Sequence, residues 1–184
     1  MIYQTHKFER FASVVERHAS QEGPNFTSLE SVGVFKQSST HGRTPFIDPS
    51  AIWIVVQGRK FCYTGDRKYD YVPGNAAVLF YPMAVEYEIV QASPEVPFLA
   101  AGVLIDLGRM AEVLLRLDQI EGAAPQPVSV DPSGISSIPL SDNLLDPFVR
   151  LFESLDNPRD AAMLGDSIVD EIYYRLLSDE RGGE

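Results

Sequence analysis

Residues 51–71 read AIWIVVQGRKFCYTGDRKYDY. Ala51 to Val56 is apolar without alternation, the pattern of a strand covered on both faces. Gln57-Gly58 supplies a bend or bulge, and Gly65-Asp66, between Tyr63 and Tyr69, reads as a tight hairpin turn. Strands are therefore expected near 51–57, 59–64 and 68–72. The same texture extends outwards. From Ser28 to Val130, short runs of Val, Ile, Phe and Tyr are punctuated by Gly, Pro, Asp and Asn, which predicts further strands near 30–37, 76–81, 84–91 and 97–105. Seven or more short strands with frequent turn signals favour an antiparallel barrel or sandwich over a parallel sheet.

The flanks change period. From Thr5 to Gln21, Phe8, Phe11, Val15 and Ala19 fall three or four apart, predicting an amphipathic helix with Thr5 as N-cap and Gly23-Pro24-Asn25 as its stop. After Ile105, Asp106 caps a helix with Leu107, Met110, Leu114 and Leu117 on one face, ended by the loop Gly122 to Pro127. Residues 125–139 read as a connector containing one strand, Val128 to Val130. A helix from Ser141 to Leu155 follows, with Pro147 expected in its first turn after Asp146. Asn157-Pro158 then opens a helix reaching Leu177. The expected division is a helical segment at 1–24, a barrel at 25–135 with a helix near 106–118, and helices at 140–178, ending in a charged Gly-Gly tail.

At 184 residues, with 45% hydrophobic residues, one folded domain is expected and extensive disorder is excluded. No apolar run approaches the roughly 18 residues that span a bilayer, and Met1 to Arg10 lacks the apolar core of a secretory signal, which points to the cytoplasm without membrane contact. Fifteen Lys and Arg against 26 Asp and Glu give a formal charge of −11, so the chain by itself repels nucleic-acid phosphates.

Little catalytic chemistry is visible. A metal-dependent barrel of the cupin kind needs clustered imidazoles, yet His6 and His18 fall on the leading helix, His41 in a Ser-Thr-Gly loop, and no histidine follows it. No metal site and no cofactor are expected. Cys62, the single cysteine, reads as a buried, inert thiol. Glu86 and Glu88 share one face of a strand, read as a solvated outer face or, less simply, as an acid/base pair. Nucleophile elbows and phosphate-cradling glycine loops are absent, and no catalytic residue is assigned. Aromatic residues crowd the expected strands. Trp53, Tyr63, Tyr71, Tyr81 and Tyr87 are the candidate lining of a small-molecule pocket, because such rings offer apolar area together with polar handles.

Val55-Val56-Gln57-Gly58-Arg59-Lys60, followed by Gly65-Asp66-Arg67-Lys68-Tyr69-Asp70-Tyr71-Val72-Pro73-Gly74, resembles the N-terminal domain of AraC-type bacterial transcriptional regulators. Ala92 to Leu99, Ile105-Asp106-Leu107 and Asp170 to Leu177 resemble later segments of that family, so the resemblance covers roughly residues 25–180. It implies a mainly β fold with α: a cupin-like antiparallel β-barrel of jelly-roll type, preceded by one helix and followed by C-terminal helices. It also implies effector sensing and homodimerisation without enzymatic activity, with DNA bound only through a helix-turn-helix domain downstream of this chain. The last helix is then the candidate dimer contact or relay, through Ile172, Tyr173 and Leu176 with Tyr174 beside them. Other readings are a freestanding non-metal barrel enzyme of the sugar isomerase or epimerase type, using Glu86 or Glu88 with a tyrosine, and a pure dimerisation module.

Overall fold

The computed structural model describes residues 2–121 and 134–182. A leading helix α1 (Ile2–Arg17) precedes strands β1 (Gly23–Phe26), β2 (Val32–Gln37), β3 (His41–Asp48), β4 (Ala51–Gln57), β5 (Arg59–Thr64), β6 (Arg67–Tyr71), β7 (Asn75–Leu79), β8 (Met83–Gln91) and β9 (Phe98–Leu104). Helix α2 (Leu107–Glu121), strand β10 (Ile135–Pro139), and helices α3 (Asp142–Ser154) and α4 (Pro158–Gly182) follow. The strands form two sheets, ordered β1-β2-β9-β4-β7-β10 and β3-β8-β5-β6, with every pairing antiparallel. The sheets face each other as in a jelly roll, but among the described residues no ladder joins them, so the barrel is open rather than closed.

The middle of the expected pattern is found almost residue for residue. β4 and β5 are separated by Gly58 at φ +79°, where a side chain would run into the backbone of Gln91 and Phe98. The hairpin from β5 to β6 turns on Gly65-Asp66, with Gly65 at φ +55° and no positive φ at Asp66, the φ signs of a type II′ turn.

The edges differ from expectation. Helix α1 ends at Arg17 rather than Gln21 and already contains Thr5, so Thr5 is not its N-cap. Gly23-Pro24-Asn25 opens β1 instead of stopping the helix. The buried Asn25 amide accepts from the Gln21 N–H at 2.9 Å and donates to the Gln21 carbonyl at 2.8 Å, which ties the short connection to the edge strand. His18 therefore lies just beyond α1, and His41 begins β3 rather than sitting in a loop. β3 shows no alternation because Gly42 to Ile47 are all exposed; backbone pairing to β8, not burial, makes it a strand, and its edge position tolerates Pro45. β10, read as connector, pairs along β7. The expected loop Gly122 to Pro127 and strand Val128 to Val130 lie outside the described residues, as does the end of the Gly-Gly tail.

Helix α3 is capped by Ser141, whose hydroxyl accepts from the Leu144 N–H at 3.2 Å. Pro147 lies in the second turn rather than the first, so the helix runs on past it while the carbonyl four residues earlier loses its usual partner. Helix α4 opens as expected, with the Asn157 side chain accepting from the Arg159 N–H at 3.0 Å.

The helices cover the outer face of the six-stranded sheet. Ile52, Ile54 and Val56 of β4 and Leu99, Ala101 and Val103 of β9 point towards them, forming one core with Phe11, Phe148 and Phe152. The Phe11 ring meets Phe148 and Phe152 edge-on at 6.2 and 5.8 Å between centroids. Ile172, Tyr173 and Leu176 belong to this core at 0%, 1% and 1% exposure. Their expected role as a dimer surface is therefore corrected: they pack inside the chain, while Tyr174 beside them is exposed.

Tyr173 does more than fill space. Its hydroxyl donates to the Leu104 carbonyl at 2.8 Å and accepts from the Asp106 N–H at 3.1 Å, pinning α4 to the end of β9 and the start of α2. Tyr173→Phe leaves both backbone groups without this partner while keeping the ring, and is expected to lower the unfolding free energy by about 1–3 kcal/mol. Urea denaturation checks this as a lower midpoint with an unchanged slope.

Candidate functional site

The strand period of two gives the six-stranded sheet a second face. While Ile52, Ile54 and Val56 look towards the helices, Trp53 and Val55 look towards the four-stranded sheet. β9 does the same: Phe98, Ala100, Gly102 and Leu104 take the inner side. Opposite them stand Phe46 and Asp48 of β3, Lys60 of β5, Tyr71 of β6 and Tyr87 of β8. The two inner faces do not fill the space between them. They leave a cavity of about 340 Å³, within the range of small-molecule sites, bordered by Phe26 and Glu30 on the β1–β2 side.

The small residues Ala100 and Gly102 help make the room. Trp53 is the register partner of Gly102, and a Cβ at Gly102 would lie 2.3 Å from its six-membered ring. The ring therefore lies where other strand pairs keep a side chain, and only glycine permits it.

The walls are overwhelmingly apolar, so the few polar groups carry the chemistry. Lys60 points inward with Cys62. Its ammonium sits 5.4 Å from the centroid of Tyr71 and 5.2 Å from that of Tyr87, and no ion pair closes on it among the described residues. Asp48 is 2% exposed, and burial pushes its carboxyl above the ordinary range. The charge of Lys60 and the Trp53 indole N–H pull the other way, yet Asp48 Oδ2 and Trp53 Nε1 both lack a partner in hydrogen-bond geometry. The Tyr71 hydroxyl is likewise buried and unpartnered, and burial raises its pKa well above that of a free phenol. Burial also raises the Cys62 thiol, the direction that keeps it protonated and unreactive.

Of the five aromatic residues expected to line a pocket, Trp53, Tyr71 and Tyr87 come together here. Tyr63 and Tyr81 do not. Tyr63 lies one residue from Cys62 and so on the outer face, where the Arg43 guanidinium stacks 3.6 Å above its ring and its hydroxyl donates to Glu88 at 2.7 Å. Tyr81 follows the end of β7, is 45% exposed and packs beside Gly134. Glu86 and Glu88 share the outer face of β8, Glu86 facing Arg43 at 3.8 Å; neither lines the cavity. An acid/base reading thus lacks its inward glutamate. Among the described residues no His, Cys, Asp and Glu are grouped to hold a metal ion. Lys60 and Asp48 escaped the sequence reading, although alternation along β5 already placed Lys60 on the face of Cys62.

Compared with known proteins, residues 28–184 match the family model of the AraC-type transcriptional regulator N-terminus. No curated protein matches the chain. Among solved structures, apo ToxT from Vibrio cholerae superposes with a TM-score of 0.58 at 8% identity, over 88% of this chain and 58% of that one. ToxT from the same organism with an unsaturated fatty acid bound gives 0.56 at 9% identity, over 88% and 57%. At such identities the likeness concerns the fold, and the chain spans less than two thirds of the length of those structures.

Asp48 gives a pH test. Since burial raises its pKa, the folded chain holds the proton more tightly than the unfolded chain, and stability is lost as pH rises from about 3.9, the free aspartate value, through the folded value. Asp48→Asn removes this loss. Melting temperatures of both proteins across about pH 4 to 8 are expected to show the wild type falling progressively behind the variant as pH rises; a constant difference contradicts the assignment.

Proposed function

Because the chain belongs to the family of the AraC-type transcriptional regulator N-terminus, we propose that it is the ligand-sensing part of a transcriptional regulator and takes a small, largely apolar molecule between its two sheets. One observation carries this reading: an apolar cavity of about 340 Å³, lying between the two sheets and provided with a few unpartnered polar groups. The bound fatty acid of ToxT is an occupant of comparable character in a protein of the same fold.

The route from cavity to helices follows from the contacts. Leu104 lines the cavity and its carbonyl accepts from Tyr173 of α4. Two residues on, the Asp106 side chain caps α2 by accepting from the Arg109 N–H at 3.0 Å, and the Arg109 guanidinium donates to Asp170 at 2.6 Å and to Asp166 at 3.0 Å on α4. A ligand that prefers one position of β9 therefore biases α2 and α4 together. It acts only to the extent that it binds that arrangement more tightly than another.

The same proposal includes a homodimer, for which the buried Ile172, Tyr173 and Leu176 are unavailable, and DNA contact made by another part of the regulator. The formal charge of −11 disfavours phosphate contact by this chain. The proposal also puts the protein in the cytoplasm and assigns it no reaction. No helix among the described residues is long and apolar enough to cross a membrane.

Decanol, a neutral apolar probe, tests the cavity. At a hundredfold excess over its Kd it is expected to raise the melting temperature of the wild type by about 5–10 °C. Ala100→Phe, which fills the inner side of β9, is expected to stay folded by circular dichroism and to lose that shift. An equal shift in both proteins contradicts the proposal.

A further inference from the structure

We infer that the ligand of this cavity is an anionic amphiphile, whose carboxylate or equally acceptor-rich head is held by Lys60 with the Trp53 indole N–H and the Tyr71 hydroxyl, and whose apolar body lies against Phe35, Phe98 and Phe46. The inference rests on the cavity being the ligand site and adds the chemical class of what fills it.

The argument is one of unsatisfied donors. Lys60 lines the apolar cavity half-buried, with the faces of Tyr71 and Tyr87 beside its ammonium and no ion pair among the described residues. Trp53 Nε1 and the Tyr71 hydroxyl are buried without partners, against the rule that buried polar atoms are bonded. These groups are neighbours. Lys60 and Tyr71 are register partners across β5 and β6, and Asp48 is close enough to feel both Lys60 and Trp53 and to act on Tyr71.

Asp48 stands beside this corner. As a carboxylate it would be the natural partner of Lys60, yet no ion pair forms between them and Oδ2 is unpartnered. Burial pushes its carboxyl above the ordinary range, the direction that weakens its competition for the ammonium. The polar corner gathers the Lys60 ammonium with the unpartnered indole N–H and phenol, beside Asp48. A cationic head would meet Lys60 with like charge, and a neutral head would leave the ammonium uncompensated. An anion satisfies Lys60, the indole and the phenol together, and charge-assisted hydrogen bonds of this kind are the strong ones. The outer-face aromatic cluster offers no equivalent, because Arg43 and Tyr63 there are already engaged with Glu86 and Glu88.

Isothermal titration of decanoate and decanol at neutral pH compares the same apolar body with and without the charge. The wild type is expected to bind decanoate at least about tenfold more tightly than decanol. Lys60→Met, which keeps the apolar stem, is expected to lose that preference by weakening decanoate while leaving decanol unchanged. Equal or weaker binding of decanoate by the wild type overturns the inference and leaves the cavity reading intact, without relying on any variant. Retention of the preference by Lys60→Met overturns it as well. Failure of both probes to bind overturns the cavity reading, and this inference with it.

Discussion

The six-membered ring of Trp53 occupies the space above Gly102 where any other residue would carry its Cβ. This contact joins the two central strands of the larger sheet on their inner face, and it depends on the register that sets Trp53 opposite Gly102. On the outer face the same strands present Ile52, Ile54, Leu99 and Val103, which are fully buried under the helices. One sheet thus has a face filled to core density and a face on which small residues and a single large ring leave room. The cavity is a consequence of that asymmetry.

The division also orders the polar groups. Many charged side chains elsewhere are paired at the surface: Arg10 of α1 with Glu153 of α3, Arg17 of α1 with Asp156 just beyond α3, and Arg150 of α3 with Asp146 of the same helix and Glu171 of α4. Each exposed pair contributes little to stability, but together they fix how the helices lie on the sheet. Asp48, Trp53 and Tyr71 break this habit, each with a buried polar atom that lacks a hydrogen-bond partner, and Lys60 beside them forms no ion pair among the described residues. A protein keeps such groups where something other than stability requires them.

The fold was legible where burial imposes period. β4, β5 and β8 were placed within a residue because their side chains face packed surroundings, and α3 and α4 announced themselves through Ser141 and Asn157. β1, β3 and β10 were not legible, because edge strands are held by backbone pairing and carry Gly, Pro and polar residues that also mark loops. The site was half legible. Aromatic content led to Trp53, Tyr71 and Tyr87, but the parity of β5 excludes Tyr63, and Tyr81 lies past the end of its strand. Lys60 and Asp48 were passed over because a charged residue in a strand is ordinarily solvent-facing. Ile172, Tyr173 and Leu176 fit a dimer contact or a relay equally well in sequence, because helical period reveals an apolar stripe without saying what covers it.

Trp53 is the only tryptophan in the chain and lies in the cavity wall, so its fluorescence reports on this site alone. Titration with decanoate is predicted to change Trp53 emission saturably, with one equivalent bound per chain. Saturable binding by calorimetry that leaves Trp53 emission unchanged would place the ligand elsewhere and contradict the account.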